Sequence, residues 1–69
     1  MYKIKLLLAK SAMRPSEARE LGYIKSQFIP ELNKTIVYNN GKYKVLSCYY
    51  EVDENNELII VLILHKINN

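Results

Sequence analysis

The chain has 69 residues, a length that holds one domain at most, because so small a body buries only about 60% of the surface its unfolded form exposes. Its lone cysteine, Cys48, excludes an internal disulfide, and His65 as the single histidine leaves no Cys/His set for a structural zinc. The formal charge is +3, but residues 1–34 carry seven Lys and Arg against three Glu, while residues 35–69 carry three lysines against four acids. The resulting +4 and −1 permit an anionic partner for the first half, although a solvated basic surface is the commoner meaning.

The opening Met-Tyr-Lys-Ile-Lys-Leu-Leu-Leu-Ala pairs lysines with an apolar run, yet Lys10 interrupts it well before the roughly 7–15 apolar residues of a secretory segment. The run at residues 58–64 is likewise short of the roughly 20 residues needed to cross a bilayer as a helix. Together with the unpaired thiol, this predicts a cytoplasmic protein with no membrane partner.

Tyr2, Ile4, Leu6 and Leu8 alternate with Lys3, Lys5 and Leu7, which predicts a strand over residues 2–9. Pro15 can open a helix, Ser16 cap it, Glu17 complement its dipole and Gly22 end it. The spacing therefore predicts one short helix near residues 15–22, docked through Ala18 and Leu21 because so short a helix cannot stand alone. Residues 23–30 read as an extended arm or short strand, and residues 30–33 as a turn in which Asn33 is best able to accept positive φ.

Thr35-Ile36-Val37-Tyr38 is a strand by composition, and Asn39-Asn40-Gly41 supplies the left-handed conformations of a tight hairpin. The return strand, Tyr43 to Val52, changes apolar phase between Val45 and Leu46, which predicts a bulge there or burial on both faces. Asp53-Glu54-Asn55-Asn56 is the next turn. Leu58-Ile59-Ile60-Val61-Leu62-Ile63-Leu64 is apolar at both parities and rich in β-branched residues, so it reads as a central strand covered on each face rather than as a helix.

An uncharged apolar strand of this length would aggregate if left on an edge, so something must cover it. The predicted fold is a single mainly β domain over residues 1–69: a small antiparallel barrel, or a curled sheet of four to five strands, with the short helix near 15–22. A homodimer is the other way to keep the run dry.

The segment Phe28-Ile29-Pro30-Glu31-Leu32-Asn33-Lys34-Thr35-Ile36-Val37-Tyr38-Asn39-Asn40-Gly41-Lys42-Tyr43-Lys44-Val45 places a Pro-containing turn before a strand. A tight hairpin, a Tyr-x-Val strand and a paired apolar strand from Glu57 to Ile67 follow it. In this order, residues 28–67 resemble the small SH3-like barrels found in short proteins of Gram-positive phages and mobile elements. Asn33 stands where that pattern usually carries glycine and preserves the turn geometry. The resemblance implies a barrel used as a binding module and transfers no functional residue. Abundant Lys, Asn, Ile and Tyr, whose codons are AT-rich, fit a low-GC bacterium or its phage as source.

The inventory for catalysis is thin. Cys48 and His65 fall on neighbouring predicted strands and would form a thiolate–imidazolium pair if they met, but a small buried thiol and a strand-end imidazole are the commoner outcome. Glu51, Asp53, Glu54 and Glu57 surround a turn, where acids ordinarily keep the turn soluble, and no glycine-rich phosphate loop exists around Gly22 or Gly41. The expectation is a non-enzymatic protein with no cofactor, metal or catalytic residue.

Tyrosine is the unusual component, with six residues. Tyrosine and arginine dominate binding hot spots, and the leading expectation is a phage-encoded binding protein that modulates a host protein by direct contact. Arg14, Arg19 and Tyr23 of the arm and the acidic turn are the contact candidates for that role. The alternative is an SH3-like or OB-like nucleic-acid binder that uses Lys34, Tyr38, Lys42, Tyr43 and Lys44 as a basic-aromatic hairpin edge, against the commoner use of such rings as core filling. A self-assembling structural protein is the third reading.

Overall fold

A computed structural model describes residues 1–10 and 18–68. Strands β1 (Tyr2–Leu8), β2 (Arg19–Ser26), β3 (Thr35–Tyr38), β4 (Gly41–Val52) and β5 (Leu58–Lys66) form one mixed sheet in the spatial order β2-β1-β5-β4-β3, curled into a half-barrel. The mainly β expectation and the curled sheet hold. No described helix is long and apolar enough to cross a membrane.

The apolar run occupies the middle of the sheet, and Ile59 through Leu64 are all buried. Ile60, Leu62 and Leu64 face the concave side, in register with Ile4, Leu6 and Leu8 of β1 and, at Leu62 and Leu64, with Cys48 and Val45 of β4. With Tyr43 they make the core, against which Leu21, Ile24, Ile29 and Ile36 pack. Ile59, Val61 and Ile63 point the other way. Val61 has no exposed surface; its ladder neighbours on that side are Lys5 and Tyr49, whose long side chains can cover apolar surface along their stems.

Two expectations are corrected. The sheet is not wholly antiparallel, because β1 and β5 run parallel. Period-two alternation reads the same in both directions, so it carries no information about the relative direction of strands distant in sequence. The short helix near 15–22 is also not seen. Residues 15–17 lie outside the described residues, and Arg19 to Gly22 open β2. There Leu8 pairs with Arg19, Leu7 with Glu20 and Leu6 with Gly22, so that Leu21 is the bulged residue and packs on the core. Ladder bonds to β1 satisfy this backbone, where a helix of one or two turns would have had no independent stability.

The turns follow the sequence closely. Asn33 has φ 67°, and the two-residue loop between β3 and β4 has φ 46° at Asn39 and 67° at Asn40, the signs a type I′ hairpin requires. The register of β4 against β5 shifts between Val45 and Ser47, at the expected bulge. At the β4–β5 tip, the Asp53 Oδ1 atom accepts hydrogen bonds from the backbone N–H groups of Asn55 (2.8 Å) and Glu57 (2.9 Å), and Asn56 takes φ 61°.

A tyrosine side chain bridges the edges of the sheet. Although β2 and β3 are at opposite ends of the strand order, Tyr38 of β3 lies over Gly22 of β2, and a Cβ built on Gly22 would sit 3.2 Å from the Tyr38 Cζ atom. Only a residue without a side chain admits the ring there. The connection over residues 27–34 joins the same two edges and lays Ile29 against the core, so the curl is held by chain and ring together.

Two stability tests follow from this packing. Ile60→Ala or Leu62→Ala should cost about 2–5 kcal/mol, comparable with the whole stability of so small a domain, and thermal melts followed by circular dichroism should lose cooperativity. Lys42→Ala, at an exposed position, should leave the same melt nearly unchanged. Gly22→Ala should destabilise by about 1–3 kcal/mol, and its cost should shrink when Tyr38→Ala is already present; additive costs would show that the ring and the glycine are not coupled.

Candidate functional site: two mouths of unlike chemistry

The half-barrel is open at both ends of β5, and the two openings differ in character. At the Leu58 end the core parity continues past the cover that the other strands provide. Tyr50 pairs with Ile60, and Val52 with Leu58, on the concave side, yet Tyr50 is 60% exposed and Val52 and Leu58 are each 61% exposed. Met1 and Tyr2 add two further exposed apolar side chains. The outcome is a cleft of about 410 Å³ lined by Met1, Tyr2, Ile29, Tyr50, Leu58 and Ile60 together with Lys3 and Glu57. The hairpin that frames it ends in the acidic stretch of Glu51, Asp53, Glu54 and Glu57.

At the Lys66 end the concave-facing stripe changes from leucine to cation. Leu8 of β1 lies between Arg19 of β2 and Leu64 of β5, and Lys66 follows Leu64 at the same parity. Together with Ala9, Lys10, His65 and Asn68, Leu8, Arg19 and Lys66 line a cleft of about 490 Å³. Among the described residues no carboxylate lines it.

The convex face offers less. Lys5 lies 4.0 Å from carboxylate oxygens of both Glu20 and Glu51, pairs exposed enough to contribute little to stability. The Lys3 ammonium stands 5.4 Å from the centre of the Tyr23 ring, a cation–π contact on the same surface.

The structure separates the residues singled out from the sequence. Arg14 lies outside the described residues. Arg19 is exposed at the start of β2 and belongs to the basic mouth, whereas Tyr23 is on the convex face beside Lys3, so the two share no surface. Lys34, Lys42 and Lys44 are exposed around the β3–β4 hairpin. The rings meant to accompany them are engaged elsewhere: Tyr43 is only 8% exposed and sits in the core, and Tyr38 covers Gly22. Cys48 and His65 do not form a pair, because Cys48 aligns with Leu62 on the core side while His65 aligns with Lys44 on the opposite face.

Sequence reasoning missed both mouths as units. A signal for the basic one was present: Leu6-x-Leu8-x-Lys10 and Leu62-x-Leu64-x-Lys66 repeat one pattern, but it has meaning only once the two strands are known to lie parallel and in register. No protein-family model matches the chain, and neither do the curated proteins or the solved structures.

The exposed side chains of the apolar mouth are surplus to the core. Tyr50→Ala and Leu58→Ala should each shift stability by no more than about 0.5 kcal/mol in a denaturant titration, well below the expected cost of Leu62→Ala. A loss as large as that of Leu62→Ala would place them in the folding core instead.

Proposed function

We propose that the chain is a non-enzymatic binding protein that docks a partner protein at the apolar mouth. The observation that carries this reading is the group of Tyr50, Val52 and Leu58, more than half exposed on the face that elsewhere forms the core. Their apolar surface remains exposed to water in the free chain, and burying it in a complex supplies the driving force for association. Tyr50 belongs to a residue type that dominates binding hot spots. The acids at the hairpin tip select a partner whose apolar anchor is bordered by Lys or Arg, so charge would guide the encounter and apolar contact would hold it.

The finer reading is a phage-encoded modulator of a host protein, of SH3-like kind. It rests on the strand and turn order of residues 28–67 and on the AT-rich composition. The nucleic-acid alternative keeps the exposed Lys34, Lys42 and Lys44 but lacks the stacking rings first assigned to it, since Tyr43 is buried and Tyr38 is spent on Gly22.

The test uses the full chain as bait in lysate of a low-GC Gram-positive host, with Tyr50→Asp, Leu58→Asp and Lys25→Ala baits in parallel. A specific partner should be retained by the wild type and by Lys25→Ala, and weakened more than about tenfold by either mouth variant. Retention that ignores both mouth variants overturns the proposal. So does retention of random DNA or RNA as the dominant ligand with a steep fall as salt rises, the mark of phosphate contacts.

A further inference from the structure

We infer that the basic mouth at the Lys66 end is a binding site for a small ligand carrying two or more phosphates, of about nucleotide size. Three segments far apart in sequence deliver its cations: Lys10 follows β1, Arg19 opens β2 and Lys66 ends β5. The positions are not scattered over the surface. Arg19 pairs with Leu8, Leu8 with Leu64, and the Ala9 N–H donates to the Leu64 carbonyl at 2.8 Å, which closes the end of β1 against β5. Lys10, two residues past Leu8, and Lys66, two past Leu64, line the same cleft with Arg19.

Like charges gathered around one cleft repel one another. A cleft lined by two lysines and an arginine, with no carboxylate among its described lining, suits a polyanion. A guanidinium offers a planar fork suited to two phosphate oxygens, and the two ammonium groups act as point charges on the others. A single carboxylate would neutralise one cation of the three; a diphosphate or triphosphate matches the set. Leu8 and Ala9 give the cleft an apolar wall and Asn68 an amide, and its volume of about 490 Å³ leaves room for a ring beside the phosphates. The site is at the opposite end of β5 from the apolar mouth and stands independently of the protein-docking proposal.

Pyrophosphate and ATP, each titrated into the full chain at low ionic strength and followed by amide chemical shifts, test the inference. Both should give saturable one-to-one shifts centred on Ala9, Arg19 and Lys66. Arg19→Gln and Lys66→Gln should each weaken binding about tenfold, as expected for loss of a charge-assisted contact, while Lys25→Ala should leave it unchanged. A melting experiment gives a second readout that survives if Arg19→Gln fails to fold. Without ligand, Lys66→Gln should melt higher than the wild type, because one of the three cations lining the cleft is gone. With excess pyrophosphate the order should reverse, because at one ligand concentration the tighter binder is stabilised more. No saturable shift with either phosphate compound overturns the site. So does binding confined to a single-stranded oligonucleotide, with shifts spread over Lys34, Lys42 and Lys44, which would indicate a nucleic-acid surface instead.

Discussion

A strand that is apolar on both faces must be kept from water on both, and the architecture of this chain can be understood from how β5 meets that demand. With neighbours at either side, β5 has no free edge, which removes the pairing surface on which such a run would aggregate. On the concave side, burial comes from curling the sheet around the stripe of Ile60, Leu62 and Leu64. On the convex side a few long side chains, Lys5 and Tyr49 among them, border Val61. The chain thus keeps its most hydrophobic segment dry without a disulfide, and the Tyr38 ring over Gly22 takes the place of the hydrogen bonds that a closed barrel would form between β2 and β3.

The same curl gives the molecule a direction. Because the half-barrel is lined by one continuous face, whatever residues extend that face past the covered zone appear at its openings. At one end they are Tyr50, Val52 and Leu58, framed by an acidic hairpin; at the other they are Arg19 and Lys66, joined by Lys10. The modest net charge of +3 therefore understates the electrostatics of the two mouths, one lined by Lys10, Arg19 and Lys66 and the other framed by the acidic hairpin with Lys3, on a body 38 Å in its longest dimension. At physiological salt that length exceeds the screening distance of about 8 Å several times over, so a partner approaching one end is nearly blind to the charge at the other.

Much of this was legible in the sequence wherever the deciding physics is local. Asn33, Asn39, Asn40 and Asn56 take positive φ, as asparagine at turns is able to do, and the phase change near Val45 marks the bulge. The parity of Leu58 to Leu64 announced a strand without a wet face. The helix near 15–22 was misread because capping residues and a terminal glycine describe only the local option. The alternative for Arg19 to Gly22, a ladder against β1, depends on a strand that the local pattern does not know is adjacent.

The amino-acid order by itself determined the strand content, the turn positions and the need to bury residues 58–64, because alternation, left-handed tolerance and apolar run length are properties of neighbouring residues. Tertiary structure alone decided which strands lie side by side and in which direction, and with that the composition of both mouths. Lys10 and Lys66 line one cleft only because β1 and β5 run parallel in register, Arg19 joins them because β2 pairs with β1, and Tyr38 leaves the basic hairpin only because the sheet curls until it reaches Gly22. The physical reason is that pairing energy between distant strands is paid for by loop closure and shared core volume, quantities that belong to the folded chain as a whole.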